Sequence, residues 1–307
     1  MAPHKNELPP FLVPFGQSSN ESPRQAIFNH PTLGSAHSLW WNSLNPSPEA
    51  VFLFVPGNPG ILEFYTEFFT LLHTEHPRLA IFGHAHLGHT PNVPGREYRL
   101  RAQVESVIEA VDAIRGAFGK AKIILGGHSV GAWICLQALE ARPSDISQLF
   151  LLTPTLTHIA DTPNGRRLSW FFRFPFPSLI SWLSYLTRPL PLSLVFPNWP
   201  VLQITVLRSL LNSRAAIFAC LSMAHEEMAT IHELDSALLD EHRHRIYLYY
   251  AANDDWVSTH KAKITRMYMP DEMERVVENA HVPHAFCLSH SAEVASRCSL
   301  WLRTLSL

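Results

Sequence analysis

A short apolar run, Lys122-Ile123-Ile124-Leu125-Gly126, leads directly into Gly127-His128-Ser129-Val130-Gly131, after which helical character continues to about Arg142. An apolar stretch without polar alternation reads as a strand buried on both faces, as in a parallel sheet. The two glycines of the G-x-S-x-G segment allow a sharp strand-to-helix turn, which lifts the Ser129 hydroxyl above the sheet edge. The pentapeptide alone is a weak signal. A buried strand before it and a helix after it make a nucleophilic Ser129 the better reading, against a serine that merely caps the helix.

The rest of the chain keeps the same beat. Val51 to Val55 is a second buried run, ended by the turn-forming Pro56-Gly57-Asn58-Pro59-Gly60. Phe64, Phe68, Leu71 and Leu72 have helical spacing, Leu79–Gly83 reads as a strand, and a long amphipathic helix is expected from about Glu97 to Phe118. Strands are further expected at Gln148–Leu152, Arg245–Ala251 and Arg275–Glu278, with a last helix from about Ser291 to Leu302. A weaker signal suggests an antiparallel pair at Gln25–Asn29 and Ser38–Leu44. Alternating strands and helices predict an α/β fold with a mostly parallel central sheet and helices on both faces. At 307 residues this is one domain from about 24 to 307, preceded by a flexible N-terminus at 1–23. The beat breaks at about 156–240, which reads as a hydrophobic helical cap inserted where such sheets bind ligands.

A serine nucleophile needs a base, and the base needs a group that fixes its tautomer. On a strand-turn-helix of this kind the expected order is serine, acid, histidine. Asp254 and Asp255 both follow the Arg245–Ala251 strand, and Asp254 is favoured because Val257 gives it a D-x-x-V pattern. Among His281, His284 and His290, His284 is favoured, since Pro283 restrains its loop and Ala285-Phe286 can anchor it. The backbone N–H of Val130, at a helix start, and that of Asn58, in the Pro56–Gly60 turn, are the expected oxyanion donors. Together these residues predict the α/β-hydrolase fold.

Other chemistries fit less well. With 24 Lys+Arg against 26 Asp+Glu the net charge is −2, so there is no basic excess to neutralise the phosphates of a nucleic acid, and none is expected as a partner. His84-Ala85-His86-Leu87-Gly88-His89 has the H-x-H-x-x-H spacing of a binuclear metal site, but Gly88 stands where such a site carries a carboxylate. These are expected to be loop histidines lining the mouth of the site. Neither a metal nor another cofactor is expected. Four scattered cysteines fit a reducing compartment, and the polar, Pro-rich first twenty residues lack a signal-peptide core.

Val55-Pro56-Gly57-Asn58-Pro59-Gly60, Phe64-Tyr65, Phe68, the Gly127–Gly131 segment, Asp254-Asp255-Trp256 and Pro283-His284-Ala285-Phe286 together resemble the lipid droplet-associated hydrolase family. The P-G-N-P-G element is the most discriminating piece, and the resemblance runs from about residue 50 to 300. Two departures are Asp255, where a proline is usual, and Val130, at a permissive position. The resemblance implies Ser129 as nucleophile, Asp254 as acid and His284 as base. It also implies action on lipid esters, such as sterol esters or acylglycerols, at lipid droplets and the cytosolic face of the endoplasmic reticulum membrane. The insertion supports a lipid surface independently: residues 168–211 carry Trp170, Phe171, Phe172, Phe174, Phe176, Trp182, Tyr185, Phe196 and Trp199, cut into short pieces by prolines. Arg173 and Arg188 argue against a plain spanning helix but can snorkel to headgroups. The competing readings are a soluble lid over a carboxylesterase and a droplet surface protein with little catalysis.

Overall fold

A computed structural model describes residues 7–16, 22–93, 95, 97–257 and 260–307, the side chain of Asp271 excepted. Among the described residues nine strands form one sheet: β1 (Leu12–Pro14), β2 (Arg24–His30), β3 (Gly34–Trp41), β4 (Ala50–Val55), β5 (Leu79–His84), β6 (Lys122–His128), β7 (Ile146–Leu152), β8 (Ile246–Ala251) and β9 (Val276–Asn279). Their order is β1-β2-β3-β5-β4-β6-β7-β8-β9. From β5 to β9 every neighbouring pair is parallel, and β1, β2 and β3 add an antiparallel edge.

The apolar runs are buried on both faces because each face meets helices. On β4, Val51, Leu53 and Val55 join one core with α2 (Leu100–Phe118) and α3 (Val130–Ala141). Phe52 and Phe54 point the other way, into a core with α1 (Thr66–Glu75) and the C-terminal helix Ser291–Thr304. Each such fully buried phenylalanine contributes about 1.5–3 kcal/mol. Alternation along a continuously apolar strand therefore fills two cores at once.

The observed strands follow the expected ones closely, and the suggested pair near the N-terminus is present as β2 and β3. Two differences stand out. Leu12–Pro14, inside the segment expected to be flexible, pairs with Ala26–Phe28, and Leu12 is buried in the core. Residues 1–6 and 17–21 of that expectation lie outside the described residues. The long helix begins at Leu100 rather than Glu97, with the Leu100 N–H donated to the Glu226 carboxylate at 2.5 Å. A carboxylate from a distant helix thus satisfies a free donor and faces the positive end of the helix dipole.

Between β7 and β8 the chain forms α4 (Pro163–Leu168), α5 (Phe176–Leu183), α6 (Leu192–Val195), α7 (Val201–Leu211), α8 (Arg214–Thr230) and α9 (Ser236–His242). Prolines open or precede the first four, which fixes where each starts, because proline is tolerated only in the first turn. Helices α7 and α8 meet at 91°. Among the described residues no single helix is long and apolar enough to cross a membrane. After β8 come α10 (Lys261–Thr265) and, last, α11 (Ser291–Thr304).

Candidate active site

Ser129 sits between β6 and α3 at φ 54° and ψ −122°, a conformation that costs a non-glycine residue of the order of 1–3 kcal/mol. Its neighbours show why glycine flanks it. A Cβ on Gly131 would lie 2.3 Å from the Val55 carbonyl oxygen, and one on Gly127 would lie 2.6 Å from the Ala132 Cα. Only bare backbone lets α3 start this close to β4 and β6, and the tight start holds the strained serine in place.

The structure brings Ser129, His284 and Asp254 into one hydrogen-bonded row. His284 Nδ1 lies 2.7 Å from Asp254 Oδ2, and His284 Nε2 lies 3.0 Å from the Ser129 Oγ. A carboxylate only accepts, so Nδ1 carries the ring proton and Nε2 is left to accept the serine O–H. The Asp254 side chain is only 2% exposed, and its other oxygen accepts the Trp256 N–H at 2.9 Å. Asp255 is exposed, and its backbone carbonyl accepts the Asn164 N–H. His281 is exposed, and His290 interacts with Ser289. Of the candidates left open by sequence, Asp254 and His284 are the ones beside Ser129.

Residues that sequence reading passed over hold this row. The carbonyl of His284 accepts the His128 Nε2–H at 2.9 Å and the Thr153 hydroxyl at 3.1 Å. With Nε2 protonated, His128 Nδ1 accepts the Tyr65 O–H at 2.6 Å, and Tyr65 in turn accepts the Gly57 N–H at 3.0 Å. A chain of polar contacts therefore ties the Pro56–Gly60 turn to the His284 loop through the residue before the serine. Burial pushes the His128 imidazole down to about 3, so it stays neutral and keeps this donor-acceptor pattern.

The turn itself needs its glycines. A Cβ on Gly57 would meet His128 Nδ1 at 2.8 Å, and one on Gly60 would meet the His86 ring at 2.4 Å. Asn58 lines the cavity and Val130 follows Ser129 at the start of α3; neither N–H is donated to another group among the described residues. The Asn58 side chain is fixed by donating to the Cys220 carbonyl at 2.9 Å and to Glu227 Oε1 at 2.8 Å.

The histidines of the H-x-H-x-x-H segment do not line the mouth. All three are buried, His86 and His89 against this turn and His84 on β5 against α2. His89 Nδ1 accepts the Gly60 N–H at 3.0 Å, His86 bonds the Pro56 carbonyl, and His84 Nε2 pairs with the Ser106 hydroxyl at 2.7 Å. Burial lowers all three, His86 to about 4. His86 and His89 buttress the turn as neutral hydrogen-bonding rings, and His84 ties β5 to α2. Sequence could not reveal this, because the contact depends on a turn folding over residues some thirty positions away.

Ser129 and His284 open onto a cavity of about 730 Å³ whose other walls are mainly apolar, including Phe64, Trp199, Leu207, Leu211, Met228 and Trp256. Most of that wall comes from the insertion. Beside the polar Asn58, Ser184 and Thr187 the wall carries a carboxyl, that of Glu227 of α8, 4% exposed, which burial pushes up to about 7 against the opposing effect of Asn58.

Comparison with known proteins agrees with this architecture. The structure resembles 2-hydroxy-6-oxo-6-phenylhexa-2,4-dienoate hydrolase from Rhodococcus sp. strain RHA1, with a TM-score of 0.64, 16% identity and coverage of 91% of this chain and 98% of that one. It also resembles a thermophilic esterase from Thermogutta terrifontis, with a TM-score of 0.61, 15% identity and coverage of 91% and 98%. These likenesses establish the α/β-hydrolase fold. The sequence is 27% identical over 281 residues to a lipid droplet-associated hydrolase of Gallus gallus, covering 83% of this chain and 85% of that one. It is 25% identical over 277 residues to the protein of the same name from Drosophila melanogaster, covering 83% and 89%, and 26% identical over 287 residues to that from Dictyostelium discoideum, covering 86% and 90%. The model of the lipid-droplet associated hydrolases matches residues 48–287, and the chain belongs to that family of hydrolases.

Proposed function

We propose that this protein is a serine hydrolase that cleaves carboxylic esters of lipids, sterol esters or acylglycerols, at a lipid surface. The observation that carries the reading is the Ser129–His284–Asp254 row opening on a large apolar cavity. Ser129 attacks the ester carbonyl as its proton passes to His284 Nε2, and Asp254 stabilises the imidazolium that forms. The N–H groups of Asn58 and Val130 receive the developing oxyanion. His284 then protonates the leaving alkoxide, and an acyl-enzyme remains. Water, deprotonated by His284, attacks the acyl carbon; the bond to Ser129 Oγ breaks, His284 returns the proton to Oγ, and the fatty acid leaves. The steps need only the chain's own residues and water.

Residues 156–240 act in this reading as a cap that meets the lipid. Its exposed apolar side chains include Phe174 at 88%, Leu194 at 77%, Leu186 at 70% and Trp182 at 61%. Such a cluster of large exposed apolar groups marks an interaction surface. The Arg214 guanidinium sits 3.1 Å from the Trp182 ring centre and that of Arg188 sits 4.0 Å from Tyr185, which suits anionic headgroups above an apolar layer. The surface fits a droplet monolayer, and the headgroup layer of the endoplasmic reticulum membrane offers the same chemistry.

The test is a combined one. Purified protein is expected to hydrolyse emulsified long-chain esters and to float with phospholipid-coated triacylglycerol droplets. Replacing Phe174, Trp182, Leu186 and Leu194 by serine removes about 0.8 kcal/mol for each methylene that would be buried in lipid. Flotation should then fall at least about tenfold. Unchanged flotation would show that the cap is a lid alone, and absence of turnover on every ester would refute the hydrolase reading.

A further inference from the structure

Glu227 is out of place in its surroundings. It lies on α8 inside a cavity whose walls are otherwise mainly apolar, and it is only 4% exposed. Its Oε1 accepts the Asn58 amide at 2.8 Å. Its Oε2 has no hydrogen-bond partner among the described residues, although Glu227 forms part of the cavity wall. Oε2 is not among the sealed polar atoms that lack a partner, so it is open to the cavity, and a ligand group can pair with it there.

A purely structural clamp would need only Oε1. The Asn58 amide uses both its hydrogens, one on the Cys220 carbonyl and one on Glu227, which already fixes the turn to α8. A glutamine could serve that purpose without placing an ionisable group in an apolar pocket. The second oxygen is surplus to the clamp and faces the space where a ligand would lie.

We infer that Glu227 Oε2 and the adjoining cavity form a subsite for a free hydroxyl on the alcohol part of the ester, so that the preferred substrates are partial acylglycerols. The inference rests on the ester-hydrolase reading for the use of the site, and its position follows from Asn58. The backbone N–H of Asn58 is the proposed oxyanion donor, and its side chain holds Glu227. The carboxyl therefore lies one side chain and one hydrogen bond from the reacting carbonyl. A hydroxyl three or four bonds from the ester oxygen fits that interval. A monoacylglycerol or diacylglycerol carries one there, whereas a sterol ester or a triacylglycerol carries none.

The subsite suits a hydroxyl in either charge state. Because Oε1 accepts from Asn58, any proton on the carboxyl resides on Oε2. Burial keeps that proton on to about pH 7. A protonated Oε2 donates to a hydroxyl oxygen, and an ionised one accepts the hydroxyl proton. A ligand hydroxyl does both, and an ether oxygen cannot donate. Sites built to pair a substrate hydroxyl reject analogues lacking it far more strongly than apolar pockets reject a missing methylene.

Binding, rather than turnover, separates this inference from the hydrolase reading. The probes are a 1-O-hexadecylglycerol ether, which cannot be hydrolysed, and the same ether with both hydroxyls methylated. Each would displace a fluorescent alkyl ligand from the Ser129→Ala protein at pH 8. The free diol should bind about tenfold or more tightly than the capped ether, and in Ser129→Ala/Glu227→Leu the two should come within about twofold. Equal binding of the two ethers while Glu227 is present would overturn the inference, and this comparison decides even if the double variant fails to fold. A preference that persists undiminished in a folded double variant would overturn it as well. Neither arm depends on catalysis, so a failure to hydrolyse esters would be read separately.

Discussion

His284→Ala is expected to lower kcat on an emulsified ester by roughly 10⁵- to 10⁶-fold, and Asp254→Asn by roughly 10⁴-fold, while Asp255→Asn changes it less than about twofold. The large effects follow from protonation geometry. Asp254 accepts from Nδ1 at 2.7 Å and thereby leaves Nε2 free to accept from Ser129 at 3.0 Å. An asparagine amide can instead donate to Nδ1, which favours a proton on Nε2 and leaves the serine without a base. Asp254→Asn keeps the shape, so its loss would be electronic rather than structural; an unchanged melting temperature checks that. Asp255 is exposed and has no bond to His284, hence its small effect. Initial-rate measurements on the three variants decide the point. A larger loss at Asp255 than at Asp254 would contradict the assignment.

Acid should unfold the protein well before its carboxylates are exhausted. His86 and His128 are buried and neutral, with burial lowering them to about 4 and about 3. In the unfolded chain both titrate near the ordinary value of 6.5. Between these limits the unfolded state binds protons that the folded state does not. Their contribution to stability is therefore complete above pH 6.5 and lost as pH falls toward the folded values. At pH 5 the two together remove about 4 kcal/mol, a large part of a typical total of about 5–15 kcal/mol. His84 and His89, lowered by burial as well, act in the same direction.

Glu227 works the other way. Its folded value of about 7 lies above the unfolded 4.5, so it favours the folded state below 4.5 and loses that contribution as pH rises through 7. At pH 5 this offsets about 2 to 3 kcal/mol of the histidine loss. Glu227→Gln removes the ionisation and with it the offset. The variant should be about 3 kcal/mol more stable than the wild type at pH 8 and almost equal to it at pH 4.5. Thermal melts from pH 8 to 4.5 test both statements. A wild-type melting temperature that stays flat to pH 4.5 would contradict the burial of neutral histidines.

How much of this was legible in sequence depended on whether the signal was local. β6 and the turn after it announced themselves, because an apolar run, two glycines and a helix lie within twenty residues. The order of Ser129, Asp254 and His284 was readable for a related reason: each follows a buried strand or a restrained loop. What escaped was set by tertiary contact. Leu12–Pro14 is too short to carry a strand pattern and gains its place from β2. Tyr65 and Thr153 look like ordinary residues of a helical segment and a loop, and only the folded sheet brings them to His128 and to the His284 carbonyl. Glu227 follows His225 and Glu226 near the end of α8, a polar run easily assigned to solvent as a whole. The His84–His89 segment misled for the opposite reason. Its spacing suggests a ligand set, yet His86 and His89 hold the turn above them and His84 bonds Ser106 of α2.

The central claim is that Ser129 is an activated nucleophile, and labelling by a fluorophosphonate probe tests it most directly. Wild-type protein at pH 7.5 should be labelled at one site, mapped to Ser129 by mass spectrometry, and folded Ser129→Ala protein should not be labelled. Wild-type protein that is folded yet unlabelled, or a Ser129→Ala protein labelled as well as the wild type, would contradict the account.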